Sequence, residues 1–139
     1  MNFYPPYLGA GVKVTYISDD YRELHVQMKL KRFTKNIVGT HFGGSLYAMI
    51  DPHFMLMLIQ ILGNGFIVWD QAATIQFIKA SKLPVSAKFN ISQEQLDAIY
   101  QQTEGGQKYL PEFSVDIIDS AGTLVAQAKK TLYIRQKAS

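Results

Sequence analysis

Residues 43–62 read Gly-Gly-Ser-Leu-Tyr-Ala-Met-Ile-Asp-Pro-His-Phe-Met-Leu-Met-Leu-Ile-Gln-Ile-Leu, and their reading decides what the rest of the chain must build. The run is apolar on nearly all sides, so as a helix it must be covered on nearly all sides. Asp51, Pro52, His53 and Gln60 interrupt it, which marks a buried core helix and not a membrane span. Gly43 and Gly44 leave backbone N–H groups at the helix start, where the helix dipole favours negative charge. Asp51 follows two turns later in otherwise hydrophobic surroundings. A carboxylate placed there is costly unless it is paired or performs chemistry.

Strand signals lie on both sides of this helix. Leu24, Val26, Met28 and Leu30 alternate with Glu23, His25, Gln27 and Lys29, the period of a half-buried strand. Val12, Val14 and Tyr16 predict a strand before it, with Ser18-Asp19-Asp20 as the turn. Beyond the helix, Gly63-Asn64-Gly65 is a stop signal, and residues 66–79 read as a long strand. Pro84 opens a further strand in which Val85, Ala87, Phe89 and Ile91 share a face. Ser92-x-x-Gln95 has the form of a capping box, predicting a short helix that ends near Gly105-Gly106. Phe113, Val115 and Ile117 make the next strand, and Asp119 to Gly122 a hairpin turn. The last strand keeps Leu124, Ala126, Ala128, Leu132 and Ile134 on one face. The order β-β-α-β-β-(short α)-β-β predicts an antiparallel α+β domain. An 18-residue helix, about 27 Å long, is short enough for six such strands to curl around it. A second copy of the chain is expected to cover what remains, so a homodimer or larger homo-oligomer follows.

Composition bounds the function. The chain has 139 residues, enough for one domain spanning 1–139. It lacks cysteine, which excludes disulfides, thiolate metal sites and a cysteine nucleophile. The formal charge of +3 permits an anionic ligand without demanding nucleic acid. The N-terminal residues lack the pattern of a signal peptide, so a cytoplasmic protein is the expectation. His53 near Asp51 hints at a metal pair, but no third ligand is close in sequence, and no metal is expected. Asp70 is unusual within a strand, and pairing across a subunit interface would account for it.

The element order and the motif Asn36-x4-His41-Phe42-Gly43-Gly44-x6-Asp51 resemble the hotdog-fold acyl-CoA thioesterases. The resemblance is nearest to a subgroup described as tetrameric acyl-CoA thioesterases, long classed as a domain of unknown function. It rests on residues 39–49, on Val68-Trp69-Asp70-Gln71-Ala72-Ala73 and on residues 119–126. It implies a six-stranded antiparallel sheet wrapped around one long central helix, a homodimer or homotetramer, and hydrolysis of acyl-CoA or a similar acyl thioester. No cofactor is implied beyond the CoA of the substrate itself. In that reading Gly43 and Gly44, or Ser45, offer backbone N–H groups to the oxyanion, and Asp51 activates water. Burial against Ile50, Phe54 and Met55 is expected to raise the Asp51 pKa, as suits a base. Asn36 and His41 orient water or the thioester, Ser45 and Tyr47 contact substrate, and Lys79 and Lys82 meet CoA phosphates. In the family the site lies at the dimer interface, so partners for Asp51 can come from the other subunit.

Other readings stand beside this one. Asp51-Pro52 is also the pattern of a helix cap followed by Pro at the first helical position. Hotdog domains also include non-catalytic modules that bind acyl-CoA or a fatty acyl group. A third class, enoyl-thioester hydratases and dehydratases, uses an acid–histidine pair that His41 and Asp51 resemble.

Overall fold

The apolar run 43–62 does not form one helix. In the computed structural model, which describes residues 12–29 and 43–137, it splits into α1 (Gly43–Ile50) and α2 (His53–Leu62). Asp51 and Pro52 form the turn between them. Backbone bonds continue on either side, from Asp51 N–H to Tyr47 O and from Leu56 N–H to Pro52 O. Pro52 has no N–H to donate, and its ring opposes the carbonyl one turn back, so the ladder breaks there. The expected single long central helix is therefore corrected to two helices of 8 and 10 residues. Pro52, and not Asp51, takes the N-cap position of α2, and no side chain caps it.

Six strands among the described residues form one antiparallel sheet: β1 (Val12–Ile17), β2 (Glu23–Met28), β3 (Phe66–Phe77), β4 (Val85–Asn90), β5 (Glu112–Asp119) and β6 (Leu124–Gln136). Their spatial order is β1-β2-β4-β5-β6-β3, so the longest partner of β6 is also an edge strand. The short helix α3 (Gln93–Gln102) begins at the predicted capping box: Ser92 Oγ accepts from Gln95 N–H, and Gln95 Oε1 accepts from Ser92 N–H. Past α3, Gly105 and Gly106 take φ values of 77° and 86°, the left-handed region in which a Cβ is strained.

Alternation sets the core. Leu24, Val26 and Met28 of β2, Val85, Ala87 and Phe89 of β4, and Phe113, Val115 and Ile117 of β5 all point inward. Met49, Ile50, Phe54, Met57 and Leu58 of the two helices are buried against them. Phe54 anchors this packing, stacked on Phe113 and edge-on to Phe89 at centroid distances of 5.0 Å each. Each such fully buried side chain contributes about 1.5–3 kcal/mol of transfer free energy. In β1 the register shifts between Val14 and Tyr16, so Tyr16 leaves the buried face that Val12 occupies and is exposed.

The β5–β6 turn is organised by Asp119. Its carboxylate accepts from the backbone N–H groups of Thr123 and Ala121 and from the Ser81 hydroxyl, each at 2.9 Å. The Thr123 bond foremost, with those of Ser81 and Ala121, holds its pKa below the ordinary carboxylate value. No helix among the described residues is long and apolar enough to cross a membrane.

Candidate active site

The break between α1 and α2 swings the Asp51 carboxylate toward the sheet. The residue that meets it comes from β6, 79 positions later: Lys130 Nζ donates to Asp51 Oδ1 at 3.0 Å. Lys130 stands on the inward face of β6 between Ala128 and Leu132, opposite Phe113 on one side and Ala73 on the other. Its side chain is 1% exposed. Asp70 reaches the same ammonium from the edge strand, with Oδ1 3.2 Å from Nζ. That oxygen is buried, and Lys130 is its partner among the described residues. The Tyr47 ring lies 5.8 Å from Nζ, within cation–π range.

The structure thus places two carboxylates on one buried ammonium. Burial disfavours the charged form of Lys130, but the hydrogen bond to Asp51 and the charges of Asp70 and Asp51 outweigh it. The net effect is a pKa above the ordinary lysine value. Asp51 itself is not enclosed in apolar surroundings as expected. Its side chain is 40% exposed and lies against the Lys130 cation. Asp70 pairs with Lys130 of its own chain.

His53 is wholly buried at the start of α2, its ring 4.8 Å from that of Phe89. Burial lowers its pKa to about 3, against a hydrogen bond to the Met49 carbonyl that favours the imidazolium; the Lys130 charge lowers it further. His53 is therefore a neutral core residue near neutral pH. Among the described residues no group of three His, Asp or Glu is placed to hold a metal ion.

The remaining expected site residues are spread out. Helix α1 begins at Gly43, so the N–H groups of Gly43 and Gly44 do stand at a helix start, with Ser45 next in the first turn. Eight residues of helix separate Gly43 from Asp51, about 12 Å along the axis, so one chain does not bring the two to the same atom. Tyr47 is partly exposed beside Lys130. Lys79 and Lys82 are exposed beyond the end of β3, where Lys79 N–H donates to the Val125 carbonyl. Asn36 and His41 lie outside the described residues. Lys130 is the residue that sequence reading missed. Its signal was the gap in the apolar series Ala126, Ala128, Leu132 and Ile134, where a lysine occupies an inward position.

Residues 1–134 match the family model described as Domain of unknown function (DUF4442). The chain belongs to the DUF4442 family. No curated protein matches this DUF4442 chain. Its fold is similar to that of a Pseudomonas aeruginosa protein of unknown function described as a probable thioesterase: TM-score 0.79, 15% identity, covering 92% of this chain and 85% of that one. A Streptococcus pneumoniae hypothetical thioesterase solved with coenzyme A matches with TM-score 0.68 and 20% identity, over 99% of this chain and 98% of that one. A Haemophilus influenzae thioesterase gives TM-score 0.71 and 14% identity over 97% and 85%. At such identities the likeness speaks for the fold, and the fold of this DUF4442 chain is the hotdog type: an antiparallel six-stranded sheet packed on central helices.

Proposed function

We propose that this DUF4442 chain hydrolyses an acyl thioester, acyl-CoA being the substrate class, with Asp51 as the base that activates water. The observation that carries the reading is the Asp51 carboxylate itself. It is exposed at a helix break, and one oxygen is anchored by a buried lysine. A base must be accessible and held in place, and a part-exposed carboxylate anchored by Lys130 supports both needs. The neighbouring thioesterase folds, one of them solved with coenzyme A, support the same substrate class.

In the proposed reaction Asp51 takes a proton from water as the water oxygen bonds to the thioester carbon. The carbonyl oxygen gains negative charge, the C–S bond then breaks, and the proton passes from Asp51 to the departing thiolate. Developing oxyanion charge calls for N–H donors, and the start of α1 at Gly43, Gly44 and Ser45 supplies them. Because those groups are about 12 Å from Asp51 along their own chain, the donors to a given thioester come from a second copy. The long edge strand β3, with Trp69 and Phe77 exposed, is the surface along which that copy pairs to give a homodimer or a dimer of dimers. Tyr47 borders the reacting group, and Asn36 and His41 orient water or the carbonyl. Lys79 lies six residues beyond Ala73, about 20 Å along the strand direction, so Lys79 and Lys82 meet the CoA phosphates at the far end of an extended arm.

Asp51→Asn tests the reading, since it keeps the shape and removes the base. CoA release from a panel of aliphatic and aromatic acyl-CoAs falls about 10²–10⁴-fold in this variant. Turnover equal to that of the parent protein excludes Asp51 as the base. The Asp51–Lys130 ion pair also favours a second reading, in which it only holds the helix break to the sheet and the chain binds acyl-CoA without cleaving it. Saturable binding of an acyl-CoA with no CoA released from any of the panel selects that reading.

A further inference from the structure

Two acids converge on the Lys130 ammonium, and water activation by Asp51 leaves the second, Asp70, without a task. Asp70 stands on the inward side of β3, next to the register shift between Asp70 and Ala72. Acids are disfavoured inside strands, and a buried carboxylate oxygen is costly unless it is paired. Among the described residues its compensation is Lys130, 3.2 Å away. Resting on the reading of Asp51 as the base, we propose that Asp70 is a positioning residue for the hydrolysis: it keeps the Lys130 charge balanced while Asp51 carries the proton taken from water.

The argument is one of charge count around a side chain that solvent does not reach. With Asp51 alone, the pair would be neutral at rest, and protonating Asp51 would strand an ammonium that is 1% exposed. An uncompensated buried charge is strongly unfavourable, so Asp51 in such a pair would resist protonation and serve poorly as a base. With Asp70 present, the trio carries one net negative charge before proton transfer and none after it. Lys130 therefore retains a partner throughout and continues to orient Asp51. Among the described residues, the other groups beside Lys130 bring no negative charge to it. Tyr47 of α1 presents its ring to Nζ, and His53 of α2 is buried and neutral.

Asp70→Asn preserves shape and removes the charge. The side-chain carboxyl carbon resonance of Asp51, titrated by NMR in parent and variant, reads the effect without need of turnover. The acid limb of kcat/KM for acyl-CoA hydrolysis reads it during turnover. Both midpoints move to lower pH by about one unit in the variant, and the plateau kcat falls severalfold with KM unchanged. Lys130→Gln moves the same midpoints in the opposite direction. An Asp51 midpoint that stays or rises in the Asp70→Asn protein overturns the proposal, because a merely structural Asp70 lowers activity or stability without moving the titration. The two readings fail differently: unchanged CoA release by Asp51→Asn removes the base and this role together. An inactive Asp51→Asn protein with an unmoved Asp70→Asn titration removes this role alone.

Discussion

Lys130 occupies a position where the alternation of β6 calls for a hydrocarbon, and His53 a position where the apolar stripe of α2 calls for the same. The two polar groups are resolved in opposite ways. Lys130 stays charged because two carboxylates face it, whereas His53 stays neutral because burial outweighs the hydrogen bond to the Met49 carbonyl. The consequence for His53 is a pH dependence of stability with a definite sign. Its folded-state pKa of about 3 lies below the ordinary 6.5, so between those values the unfolded chain holds a proton that the folded chain does not. Stability contributed by neutral His53 is complete above pH 6.5 and is lost as pH falls toward 3, by up to about 1.4 kcal/mol per pH unit. Urea-unfolding midpoints measured from pH 7 to pH 4 follow this slope in the parent protein. In His53→Gln the slope is flatter by that amount; equal slopes in the two proteins refute the assignment.

At the scale of elements, the decisive feature is the break between α1 and α2. The helix-cap reading of Asp51-Pro52 does not describe the outcome, because the helix breaks at Pro52 and Pro52 itself takes the cap position. Pro52 removes the N–H that would bridge the turns, and the freed Asp51 turns to a partner on β6. Pro52→Ala restores that donor and lets the two helices join. Far-UV circular dichroism then shows a small gain in helix signal, and CoA release falls at least tenfold as Asp51 is drawn away from Lys130. Full activity in a more helical variant separates the break from the function. The capping box at Ser92 shows the contrasting case, in which a four-residue pattern is sufficient because all its bonds are local.

For the molecule as a whole, strand β3 joins structure to function. It pairs along its length with β6 and, among the described residues, leaves its other edge open, with Phe77 56% exposed at its end. A long open edge with apolar side chains favours pairing with another copy, and in the proposed reaction that copy supplies the oxyanion donors. Phe77→Lys places a charge on this surface, and light scattering at micromolar concentration finds the variant shifted toward monomer. CoA release declines in parallel, since the oxyanion donors depart with the partner. An oligomer of unchanged mass moves the interface to another face.

The six strands, the short helix α3 and their order are legible in the sequence, because alternation, capping and glycine stops act over a few residues. Leu24 to Met28, Val85 to Phe89 and Phe113 to Ile117 alternate in the sequence as they do in the core, and Asp51 stood out as a solitary acid in an apolar run. Only the tertiary structure decided what the acid meets. Lys130 lies 79 residues from Asp51, and Asp70 reaches the same ammonium because β3 folds back to lie beside β6 at the edge of the sheet. Strand order is set by the burial of the whole sheet and not by any local pattern. An ion pair between strands and a helix break therefore becomes visible only once the chain has closed on its core.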